Sequence, residues 1–139
     1  MTESLEVGNQ IMVDRPFGKV IKQIKAELAQ AELEIAAEFE VDRNAPAGNT
    51  CRLLLIDCPL TDFEVLTLDA ATAVFLPLHI VVTSYDSRTR IFWANTTALV
   101  QGRLPAGATA PLQRLEGRIA RVLFALADAD STTSGKKPG

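Results

Sequence analysis

The sequence predicts an α+β domain built on a largely antiparallel sheet, with helices gathered on one face. Three observations predict it. The apolar residues switch between helical spacing and strict alternation along the chain. Strand-like runs follow one another with only a turn or loop between them, as hairpins do. The helical stretches fall between and after those runs, giving the order β-α-β-β-α-β-β-α. The 139 residues suit one domain with one core, and 47% hydrophobic residues lie well above a disordered composition.

Ile11, Met12 and Val13 form a short first strand. Asp14-Arg15-Pro16 reads as a helix start, an acidic cap followed by proline in the first turn. Phe17, Val20, Ile21, Ile24, Leu28 and Ala31 recur at helical spacing, with Lys19, Lys22 and Lys25 on the solvated side. The period then changes. Leu33, Ile35, Ala37, Phe39 and Val41 alternate with Glu34, Ala36, Glu38 and Glu40, the pattern of a half-buried strand. Its glutamates line the outward face, where like charges protect an open edge. Residues 42–50 form a polar loop.

From Arg52 to Ile56 the chain is apolar on both parities, so this strand needs cover on both faces. Pro59 ends it, and Thr61 or Asp62 caps a short helix with Phe63, Leu66 and Ala70. Leu78 to Val82 is the next two-sided strand. Residues 85–89 turn the chain, and Arg90 to Ala94 returns as a hairpin partner. A Gly/Ala/Pro linker covers residues 101–110, and Pro111 opens a last helix with Leu112, Leu115, Ile119, Val122, Leu123 and Leu126 on one side. The domain spans residues 1–127, and the polar residues 128–139 read as a disordered tail. Helices on one face leave the two-sided strands uncovered on the other. A second copy of the sheet supplies that cover, so a homodimer through the sheet face is expected, with two-fold symmetry.

Composition narrows the function classes. A net charge of −3 argues against nucleic acid or an anionic membrane as partner. The acidic N-terminal residues lack the apolar core of a signal peptide, and the longest apolar stretch falls far short of the ~20 residues of a membrane span. The expected location is cytoplasmic. Cys51 and Cys58 on one strand would stand roughly 23 Å apart, too far for a disulfide.

Cys58 before Pro59, and His79 after Pro77, are the candidate ligand or metal residues. If their strands pair, the end of one meets the start of the other, and the two side chains share a corner. The plainer readings are a buried small hydrophobe for Cys58 and a core or interface residue for His79. Two ligands fall short of the four of structural zinc, unless a two-fold axis doubles them. Tyr85 and Trp93, on the two arms of the hairpin, are candidate pocket residues or a cross-strand aromatic pair. Arg114, Arg118 and Arg121 share part of a helix face, a solvated surface or an anion contact. There is no phosphate loop and no dinucleotide fingerprint.

The succession Phe17…Ile24…Leu28, a strand ending in Cys58-Pro59, a short helix, Leu76-Pro77 opening a strand, and a hairpin resembles the bacterial and archaeal family known as domain of unknown function 302. The resemblance covers roughly residues 10 to 125. It implies an α+β fold with an antiparallel sheet and a homodimer, and it implies no assigned activity. Many members carry a cysteine, an asparagine and a proline where Ile56-Asp57-Cys58-Pro59 stands, and proline-cysteine where Pro77-Leu78 stands; the asparagine is missing here. This chain keeps the first cysteine and lacks the second, which leaves His79 beside the lost position.

The functional expectation is a non-enzymatic homodimeric binding or accessory module, its ligand a small apolar molecule or another protein. The alternatives are a thiol- or metal-dependent activity centred on Cys58 and His79, and a subunit of a larger assembly.

Overall fold

The computed structural model describes residues 3–4, 8–40, 50–58, 78–95 and 106–136. In chain order these form β1 (Glu3–Ser4), β2 (Gly8–Val13), α1 (Phe17–Gln30), β3 (Glu34–Glu40), β4 (Cys51–Asp57), β5 (Leu78–Tyr85), β6 (Arg88–Ala94) and α2 (Ala106–Lys136). The strands make one sheet in the order β1-β2-β6-β5-β4-β3, and every neighbouring pair is antiparallel. The fold class is therefore the expected α+β. The short helix expected from Thr61 or Asp62, and the prolines at 59 and 77, lie outside the described residues.

Both described helices pack on the same face of the sheet. Val20, Ile21, Ile24 and Leu28 of α1 and Leu115, Ile119, Val122, Leu123 and Leu126 of α2 join one buried cluster. The sheet contributes Ile11, Val13, Leu54, Ile56, Leu78, Ile80, Val82, Ile91 and Trp93. These alternate along their strands as the pleat requires.

Two arginines brace the helices across their packed surfaces. Arg15, just before α1, donates to the Leu126 carbonyl of α2 at 2.7 Å, and Arg118 of α2 donates to the Ala31 carbonyl at the end of α1. The end of α1 is also closed from within. Glu32 N–H donates to the Ala29 carbonyl at 3.0 Å and Leu33 N–H to the Leu28 carbonyl at 2.9 Å. This is a Schellman motif, with Glu32 at φ 63° where glycine is usual.

Four elements differ from expectation. Pro16 takes the N-cap position itself, at φ −66° and ψ 152°, with no side-chain cap. The β5–β6 turn needs only Asp86 and Ser87, because Asp86 adopts φ 57° and so matches the twist of a tight hairpin. Helix α2 starts five residues before Pro111 and runs on to Lys136, through residues expected as linker and tail. The alanines at 106, 108 and 110 are strong helix formers, so their composition misleads as a linker signal.

The fourth difference shapes the surface. A register shift between Ile35 and Ala37 makes a bulge in β3. Ile35 pairs with inward Ile56, but Ala37 and Phe39 pair with Leu55 and Leu53 on the other face. The expected alternation is thereby inverted beyond the bulge. Phe39, expected inside, is 50% exposed on the face away from α1 and α2. Glu38 and Glu40, expected outward, lie on the helix side, where Arg52 meets them at 2.9 and 2.7 Å and Lys25 of α1 meets Glu38 at 2.9 Å. The Arg52 guanidinium also lies 5.5 Å from the centre of the Phe17 ring. Only Glu34, before the bulge, stays on the outward face.

Candidate functional site

The register separates Cys58 from His79. His79 pairs with Leu55 and is exposed, on the parity that faces away from the helices. Cys58 follows β4 on the parity of Ile56, is 5% exposed, and belongs to the helix-side core. The shared corner therefore does not form, because strand neighbours one residue out of step point to opposite faces. The same separation removes a two-fold metal site built from both residues. Among the described residues, no group of three or more His, Cys, Asp or Glu side chains is placed to hold a metal ion.

Cys58 has a different neighbour. The Arg118 guanidinium of α2 donates to its Sγ at 3.5 Å while also donating to the Ala31 carbonyl. Arg118 also lines a cleft of about 360 Å³ between the end of α1 and α2, together with Glu27, Gln30, Arg121 and Val122. Sequence reasoning placed Arg118 on a solvated face. Helical spacing gave no sign that this arginine folds back over α1.

Tyr85 and Trp93 are not cross-strand partners. Tyr85 pairs with Arg88 at the turn, and Trp93 pairs with Ile80 farther up the hairpin. Trp93 is 4% exposed and packs edge-on against Phe124 of α2, ring centres 5.5 Å apart at 83°. It is a core residue, and its buried Nε1 has no hydrogen-bond partner among the described residues. Cys51 stands opposite Thr83 on the face away from α1 and α2.

That face carries a second group of apolar side chains. Phe39 and Ala37 of β3, Leu53 and Leu55 of β4, Val81 of β5 and Phe92 of β6 form a continuous apolar band across neighbouring strands. Among the described residues no helix packs on it. His79 and Cys51 lie at the margins of the band.

The family model described as Domain of unknown function DUF302 matches residues 9–125. The chain belongs to the DUF302 family. A crystal structure of an uncharacterised conserved DUF302 protein from Bacillus stearothermophilus has the same fold, with a TM-score of 0.74 at 20% identity. The match covers 88% of this chain and 97% of that one. Comparison with curated proteins gives no match. Among the described residues of this DUF302 chain, no helix is long and apolar enough to cross a membrane.

Proposed function

We propose that this DUF302 chain is a non-enzymatic homodimeric binding or accessory module, cytoplasmic, joined through the open face of its sheet. The observation that supports the reading is the apolar band itself. Leu53, Leu55, Val81 and Phe92 are only partly buried, and Phe39 is half exposed. Five strands at about 4.8 Å spacing and seven residues at about 3.3 Å give a face of roughly 500 Å² per copy. Two such faces reach the ~1,000 Å² that a specific interface needs. The dimer would present its helix-side clefts outward, to a small apolar ligand or a protein partner. Light scattering at micromolar concentration is expected to give twice the chain mass, and Val81→Arg to give a folded monomer. A monomeric wild-type protein would sink the reading.

A second reading, thiol-dependent activity, is favoured by the Arg118 contact to Cys58 Sγ. It no longer includes His79. It predicts that a Cys51→Ser variant, which retains Cys58, is alkylated at pH 7 faster than the same variant carrying Cys58→Ser as well. Equal rates would remove it.

A further inference from the structure

The end of α1 is closed without help from Arg121. The carbonyls of Glu27, Leu28 and Ala29 accept from the N–H groups of Ala31, Leu33 and Glu32. The Ala31 carbonyl accepts from Arg118, whose other terminal nitrogen donates to Cys58 Sγ. Arg118 is thereby committed to holding the helices together. Arg121, one turn further along α2, lines the same cleft of about 360 Å³, and Glu27 lines it from α1. Neither the Glu27 carboxylate nor the Arg121 guanidinium has an ion-pair or hydrogen-bond partner among the described residues. The two walls of the cleft thus carry opposite charges that do not close on each other. Ala31, Val122 and Ala125 complete the walls with short apolar side chains. Ala31 lies one turn beyond Glu27, and Ala125 one turn beyond Arg121, so charge and apolar surface share each helix face.

We propose that this cleft binds a small zwitterion, with a carboxylate at one end, an ammonium at the other and a short aliphatic chain between. Arg121 takes the carboxylate, because its guanidinium offers a fork of N–H donors. Glu27, which only accepts, takes the ammonium. The chain rests on Ala31, Val122 and Ala125. A ligand carrying one charge leaves the opposite wall unpaired or repels it, whereas a zwitterion satisfies both walls. The cleft volume falls at the small end of the roughly 300–1,000 Å³ of small-molecule sites. The proposal gives the binding-module reading above a ligand class. It does not depend on the sheet-face dimer, because the cleft lies on the helix side.

Amino acids with the amine on the terminal carbon, from glycine to ε-aminocaproate, serve as probes of the full chain by amide NMR. Glu27 and Arg121 sit on two packed helices, so one chain length is expected to bind best, with the largest shifts at Ala31, Val122 and Ala125. Butyrate and butylamine, with one charge each, are expected to bind about tenfold more weakly than that best zwitterion. Glu27→Gln and Arg121→Gln should each lower its affinity about tenfold with the spectrum still that of the folded chain. Absence of cleft shifts with every probe at millimolar concentration would overturn the proposal. Butyrate binding as well as the best zwitterion, or binding that survives both substitutions, would do the same. Light scattering keeps the two readings apart. A dimer that binds none of the probes loses the cleft and keeps the sheet face, and a monomer that binds them loses the sheet face and keeps the cleft.

Discussion

Glu32 shows how one residue can hold a fold against its own preference. Its φ of 63° lies in the left-handed region, which costs a residue with a side chain about 1–2 kcal/mol. The Schellman hydrogen bonds and the burial of Leu33 keep it there. Glu32→Gly is therefore expected to raise stability by about 1 kcal/mol, read as a higher urea midpoint with an unchanged slope. A loss of stability would mean that the glutamate side chain contributes more than its backbone costs. Nothing in the local sequence announced this position, since the usual sign of a helix end is glycine. The buried stripe of α1 was legible because Val20, Ile21, Ile24 and Leu28 keep a helical spacing. Arg118 was not, because its two contacts come from residues 60 and 87 positions away.

Between elements, the edge pairing of β3 and β4 carries a titration. The Lys25 ammonium, hydrogen-bonded to Glu38 and aided by Arg52, holds the Glu38 carboxyl below its usual 4.5. The folded state thus binds this proton less tightly than the unfolded chain. The contribution is present above about pH 4.5 and is lost as pH falls through the lower folded value. The stability gap between wild type and Glu38→Gln should shrink as pH is lowered from about 6 to about 3. A gap independent of pH would mean that the carboxylate is not coupled to folding. The strands themselves were legible from their apolar runs, and so was the hairpin. The pairing of Glu38 and Glu40 with Arg52 was hidden, because an unbulged reading of the strand sends those glutamates to the opposite face.

For the whole molecule, the proposed sheet-face dimer would link folding to association. If the band is covered only in the dimer, the unfolding temperature should rise with protein concentration across about 1–100 μM, and Val81→Arg should abolish that dependence. A wild-type midpoint independent of concentration would count against coupled assembly. The α+β class and the shared face of the two described helices were legible because the order of periodicities prescribes them. The Cys58–His79 corner failed for a reason of parity. Two residues can sit near the ends of paired strands and still point to opposite faces. Their place in sequence suggested proximity, and the register removed it.

The β3 bulge has a consequence for how this chain tolerates insertions and deletions. Ile35 already faces the helices and Ala37 already faces away, so Ala36 is the residue the ladder skips. Removing Ala36 would join two correctly oriented halves into a regular strand. Adding or removing a residue between Ala37 and Glu40 would instead turn Phe39 or its glutamate neighbours over. Length variation in this strand should therefore be accepted at position 36 and rejected three residues later.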